Sequence, residues 1–149
     1  MGCSLQALGR ANTDSLSGPP LAALATLSFS GNIDLQRQAA LAFAEITGGG
    51  VRHVEDETLS PILRLLDSRD AVVQEAACVA LKNLAINGGY YSVQAWGRVL
   101  IPPSTDDNRP LIVNFGGLGP LTCLMLSPAI GVQRHAADCI LALAMHGEN

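Results

Sequence analysis

Aromatic residues make up only 4% of the 149 residues, with a single Trp, two Tyr and three Phe. A β-sandwich of this size would usually draw on more of them, so a core that is 48% apolar must be aliphatic and alanine-rich, which suits close helix packing. Basic clusters are also missing. With 9 Lys and Arg against 13 Asp and Glu the chain carries a net charge of −4, a poor footprint for nucleic acid. No apolar run approaches the ~20 residues needed to cross a bilayer. No charged start leads into an apolar core, so a secretory signal is not expected. The catalytic vocabulary is equally thin. There is no Gly-x-Ser-x-Gly, no paired histidine–glutamate motif, and Gly48-Gly49-Gly50 lacks the lysine of a phosphate loop. No cofactor or enzymatic activity is expected.

The four cysteines are Cys3, Cys78, Cys123 and Cys139, without a Cys-x-x-Cys pair. Cys78, Cys123 and Cys139 fall in apolar surroundings and read as small hydrophobes in a reducing compartment. His135 and Cys139 are four apart, as zinc ligands can be. Cys139 stands where related segments have alanine, however, so core is the simpler reading and no metal site is expected.

What is present is a repeat. Ala71–Ile86 reads AVVQEAACVALKNLAI, and Ile33–Thr47 and Ile130–His146 echo it. Aligned on Gln36, Gln74 and Gln133, four sets coincide: Ala39, Ala77 and Ala136; Ala42, Ala80 and Cys139; Phe43, Leu81 and Ile140; Ile46, Leu84 and Leu143. This i, i+3, i+4, i+7 pattern marks one buried helical face. Such a stripe gains a core by stacking on copies of itself.

The spacing predicts shorter helices before each stripe helix. These are Leu21–Phe29; Val51–Glu57 and Thr58–Leu66; and Pro110–Phe115 and Leu118–Leu126. Pro20, Pro61 and Pro120 sit at equivalent starts, each expected in a first turn. The expected organisation is a tether over 1–17, a partial first unit over 18–50, a second over 51–89 and a third over 108–149. The first two glutamines lie 38 residues apart and the next two 59. The excess is Tyr90–Asp107, 18 residues holding Pro102-Pro103, both tyrosines and the tryptophan. It reads either as a functional loop whose aromatics grip a partner or as sequence foreign to the repeat, such as a retained intron, and in either case a mobile loop on the rim between units two and three is expected. The clean join of its flanks favours the second.

Positions one turn apart and off the stripe should line a groove: Gln38, Leu41 and Glu45; Ala76, Val79 and Asn83; His135, Asp138 and Ala142. A solvated helix face is the alternative reading. Past the last stripe helix, an open apolar patch including Met125, Ile140 and Leu143 is expected, and with it self-association or marginal stability. At the start, Gly2 is a candidate for myristoylation and Cys3 for palmitoylation, and two chains anchor where one does not. Gln6 stands where the acylation pattern has Ser or Thr, and Arg10 is the only basic residue nearby.

Units of this spelling resemble armadillo repeats: an all-α, right-handed superhelix, here of about three three-helix repeats. LQRQAALAFAEIT, with VRHV, LSPILRLL, VQEAACVALKNLAIN and LIVNFGGLGPL, is similar to the amino-terminal part of the fungal vacuolar armadillo-repeat family. That resemblance implies a non-catalytic adaptor on the cytosolic face of the vacuole membrane, held by lipid on Gly2 and Cys3. It implies protein partners in vacuole inheritance, vacuole fusion, nucleus–vacuole contact and selective autophagy. It also implies that an asparagine at position 83 pairs with a bound peptide's backbone. Only the middle unit has one, since Glu45 and Ala142 stand at the equivalent places. A truncated or degenerate soluble fragment is the alternative.

Overall fold

The computed structural model describes residues 18–49, 54–89 and 108–144. Gly2, Cys3, Tyr90–Asp107 and the end of the expected third stripe helix, Met145-His146, lie outside the described residues. So do residues 51–53. Seven helices and no strand occur among the described residues: α1 (Gly18–Ser28), α2 (Ile33–Gly48), α3 (Asp56–Leu66), α4 (Ala71–Gly89), α5 (Arg109–Asn114), α6 (Leu118–Leu124) and α7 (Ile130–Ala144).

The three stripe helices are α2, α4 and α7. α4 is the middle layer, packed on α2 on one side and on α7 on the other. A second row runs alongside, with α1 against α3 and α3 against α6. The core is one cluster in which Phe43, Leu59, Ile62, Leu81, Leu84, Ile112 and Leu121 are fully buried. Alanines 39, 40, 77, 80 and 136 are buried between the layers, where a methyl lets helix axes approach.

Burial separates two faces that the stripe alone merged. Positions four and eleven residues after the reference glutamine are buried in α2 (Ala40, Thr47) and in α4 (Cys78, Ala85) but exposed in α7 (Ala137, Ala144). They face the following layer. The position before the glutamine reverses this order. It is buried in α4 (Val73) and α7 (Val132) and exposed in α2 (Leu35), so it faces the preceding layer. Leu143, expected on the open side, belongs to the second set and is 6% exposed. Ile140 is half-buried, and of the expected patch only Met125 is exposed. The apolar side chains most open at this end are Leu126 and Ile130.

Helix entries are built by short side chains that satisfy free backbone N–H groups. The Asn32 side chain accepts from the Asp34 amide at 2.9 Å. Asp70 accepts from the Val73 amide at 3.1 Å and opens α4. Each turn also repeats one device. Ser30, Ser68 and Ser127 lie six residues before the reference glutamines, and each hydroxyl accepts the amide two residues on, at 3.1, 3.2 and 3.2 Å. The Gln36 and Gln74 amides donate back to the Ser30 and Ser68 carbonyls. Ser68 then donates to the Gln36 side-chain oxygen at 3.0 Å, linking the first two layers.

Several boundaries differ from the periodicity reading. Asp56-Glu57 open α3 instead of closing a separate helix, and Glu55 precedes them in extended conformation. Acidic residues suit a helix N-terminus, which is why the run continues. Pro61 is therefore inside α3, not in its first turn. It is buried in the core, and that packing offsets its missing backbone donor. α1 starts three residues early, at Gly18. α6 stops at Leu124, so Met125 and Leu126 fall in a turn. Cys123 is exposed and lines an opening beside the turn that precedes α4.

Candidate groove and its two junctions

The layers meet at two junctions, and equivalent positions do different work in each. At the first, between α2 and α4, the Asn83 amide donates to the Ala44 carbonyl at 3.3 Å and to the Thr47 hydroxyl at 3.2 Å. Thr47 is fully buried and donates to the Phe43 carbonyl at 2.6 Å. At the turn end of this junction, Arg37 forms a two-pronged pair with Asp70, at 3.0 and 2.7 Å. The hydrogen bond from Arg37, more than charge alone, holds the Asp70 carboxyl below its ordinary value. The same contact raises Arg37. Arg37 also reaches Asp34 at 3.4 Å, one turn back on its own exposed helix face.

At the second junction, between α4 and α7, each of these partners is replaced. Ala142 stands for Asn83, Ala85 for Thr47, Glu75 for Arg37 and Ala129 for Asp70. Two openings lie at this junction. One, of about 320 Å³, is lined among the described residues by Lys82, Ala85, Ile86, Arg109, Asp138, Leu141 and Ala142. It lies where an asparagine at 142 would have reached the Lys82 carbonyl and residue 85. The other, of about 470 Å³, opens at the turn end between Gln74 and Ser127. Lys82 and Asp138 face each other across the junction at 3.6 Å, half-exposed. The Glu75 carboxylate rests against Gly131 at the start of α7, where an added Cβ would meet it.

The groove residues expected from spacing separate by unit. Gln38, Leu41 and Glu45 are all exposed, Leu41 at 50%. Val79 and Asn83 are half-buried, and Ala76 is a correction: at 6% exposure it belongs to the α2–α4 interface. Two residues after the glutamine, the chain points toward the preceding layer, and the middle unit has such a layer. His135 occupies the same position in α7, with its Nδ1 buried and without a hydrogen-bond partner. Asp138 and Ala142 do line an opening. Asn83 is also placed differently from the expectation, because its amide donors are engaged with α2 and not held out for a ligand.

Lys82, Ile86 and Leu141 were not among the expected residues. They lie three residues from Val79, Asn83 and Asp138 respectively, so the same one-turn rule reaches them. Arg109 comes from α5, beyond residues 90–107, and nothing in the local pattern points to it.

Cys78 and Cys139 are fully buried, and burial pushes both thiols up to about 12, where they are neither nucleophiles nor metal ligands at neutral pH. Among the described residues there is no cluster of three His, Cys, Asp or Glu that could hold a metal. No helix among them is long and apolar enough to cross a membrane.

Stacked helical layers joined along one face define a solenoid of protein-binding type. The Armadillo/beta-catenin-like repeat family matches residues 54–86 and 105–144, so these layers are armadillo repeats. The chain is homologous to the armadillo-repeat region of fungal vacuolar protein 8. It is 50% identical to vacuolar protein 8 of Aspergillus oryzae over 109 residues, which is 73% of this chain and 16% of that protein. The Saccharomyces cerevisiae protein of that name is 50% identical over 105 residues, 70% of this chain and 15% of that protein. That of Candida albicans is 60% identical over 78 residues, 52% of this chain and 13% of that protein. The chain thus spans about a sixth of these relatives' length.

Proposed function

We propose that the chain acts as a non-catalytic armadillo adaptor, tethered by lipid at Gly2 and Cys3 to the cytosolic face of the vacuole membrane. Its helical face recruits protein partners. The observation that carries this reading is 50% identity to vacuolar protein 8 over most of the chain, joined to a stack whose α2 face leaves Gln38, Leu41 and Glu45 open to solvent. The processes served are those the resemblance implies: vacuole inheritance, vacuole fusion, nucleus–vacuole contact and selective autophagy. Asp138 and Ala142 extend the partner surface from α2 across to α7. The exposed apolar side chains of the last unit, Leu126 and Ile130, support self-association as an accessory property.

The tether is tested by metabolic labelling with an alkynyl myristate analogue, comparing wild type with Gly2→Ala and Cys3→Ser. Label on wild type, lost in Gly2→Ala, with weaker membrane retention in Cys3→Ser, is the expected result. An unlabelled, soluble wild-type protein would remove the tether and leave the soluble-fragment reading.

A further inference from the structure

We propose that Ser127 is a phosphorylation site for a proline-directed protein kinase. The chain has two Ser-Pro pairs and no Thr-Pro. The fold treats the two pairs oppositely. Ser60-Pro61 lies inside α3, with Pro61 buried in the core. A kinase must lay serine and proline together in an extended backbone, which neither the helix nor the packed ring allows. Ser127-Pro128 lies in the turn between α6 and α7. Pro128 is exposed, and Leu126 on the other side of the serine is 84% exposed. The Ser127 hydroxyl accepts from the Ala129 amide, and no described residue takes its proton. Its counterpart Ser68 donates across the layers to Gln36. Modifying Ser127 therefore breaks no such link between layers. In the transfer, a bond forms between Oγ and the γ-phosphorus of ATP as the bond from that phosphorus to its bridging oxygen breaks. ADP leaves, and the hydroxyl proton passes to the kinase's base. Neither a partner nor a membrane enters this site, so its failure leaves the adaptor reading standing.

The start of α7 gives the phosphate a consequence. Four residues before the reference glutamine stand Asn32, Asp70 and Ala129. The Asn32 and Asp70 side chains each accept from an amide in the helix that follows. Ala129 has no oxygen to do so. The first amides of a helix have no partner within it and carry the positive end of its dipole. A phosphate on Ser127, two residues ahead of Ala129, brings acceptor oxygens and negative charge to that end and serves as the cap. Asp67 lines the opening beside Ser127, and Glu75 rests against Gly131. Both carboxylates oppose the added charge, so the gain is small.

The test incubates full-length protein with a purified mitogen-activated protein kinase, magnesium and ATP, and locates phosphate by mass spectrometry of the digest. Free peptides spelling residues 55–65 and 122–132 are treated alongside. Both peptides should accept phosphate. The folded protein should accept it at Ser127 and not at Ser60, and Ser127→Ala should remove it. Modification of Ser60 at the Ser127 rate in the folded protein would show that the fold does not choose between the two pairs, and overturns the proposal. So does a folded protein or a 122–132 peptide that stays unmodified at Ser127. The urea midpoint of the phosphorylated protein should rise by about 0.2–0.5 M. Ala129→Asp, which copies the second unit, should raise the midpoint of unmodified protein in the same direction. A midpoint that phosphate leaves unchanged or lowers overturns the capping role.

Discussion

Asn83 offers the sharpest test of how the layers are held. It could be a ligand-binding side chain, with its removal leaving the fold alone, or a strut between α2 and α4. The two bonds at 3.2 and 3.3 Å argue for the strut. A net contribution of about 0.5–1.5 kcal/mol per half-buried hydrogen bond gives about 1–2 kcal/mol for Asn83→Ala. The estimate stays at the low end of what buried polar deletions cost, because neither acceptor is orphaned. The Ala44 carbonyl also accepts from the Thr47 hydroxyl, at 3.1 Å, and Thr47 keeps its bond to Phe43. At a urea dependence of about 2 kcal/mol per molar, the unfolding midpoint should fall by about 0.5–1 M. Far-UV circular dichroism reads this directly in an all-helical chain. A cycle with Thr47→Ala isolates the link: the two changes share one hydrogen bond, so the double mutant should be less destabilised than the sum of the singles, by about 0.5–1 kcal/mol. A midpoint for Asn83→Ala within error of wild type, or strict additivity with Thr47→Ala, would refute the reasoning and return Asn83 to the ligand.

Two further outcomes follow from the charges and thiols. Asp70 has its pKa lowered in the folded state, chiefly by the hydrogen bond from Arg37, so it stabilises above its unfolded value near ~4 and loses that effect as pH falls through its folded value. Asp70→Asn keeps a helix-capping oxygen but not the charge. Its urea midpoint should lie below wild type at pH 7, and the gap should narrow as pH falls below the unfolded value near ~4; a gap that stays constant there would contradict the assignment. In native protein, iodoacetamide should alkylate Cys123 within minutes and spare Cys78 and Cys139 until urea is added. Mass spectrometry of the digested protein reads this, and modification of either buried thiol at the Cys123 rate would show that the layers part readily.

The repeat was legible from the sequence because three segments share a period and a reference glutamine, and periodicity survives whatever the neighbours do. The all-helical fold and the family resemblance follow from that pattern, and both hold in the structure and the comparisons. What periodicity does not carry is direction. An alanine-rich stripe is wide enough to touch a layer on each side, and Ala76 and Leu143 were misplaced because they face backward along the stack. The placing of Pro61 failed for a related reason: equivalence to Pro20 and Pro120 suggested a helix start, but acidic Asp56-Glu57 extended the helix ahead of it. The opening beside Ala142 was half visible. The loss of asparagine at that position shows in the alignment, whereas the space it leaves, and the arrival of Arg109 from another helix, need coordinates.

The unequal junctions have a mechanical consequence. Among the described residues, the first is cross-braced at both ends, by Asn83 with Thr47 and by Arg37 with Asp70, and the second shows the Lys82–Asp138 pair beside its apolar packing. Bending therefore concentrates between α4 and α7, as it does at the pinned, not the welded, corner of a frame. A load pulling on the far layer would swing it as a unit while the first two layers travel together, so the curvature of the stack is set at a single compliant corner.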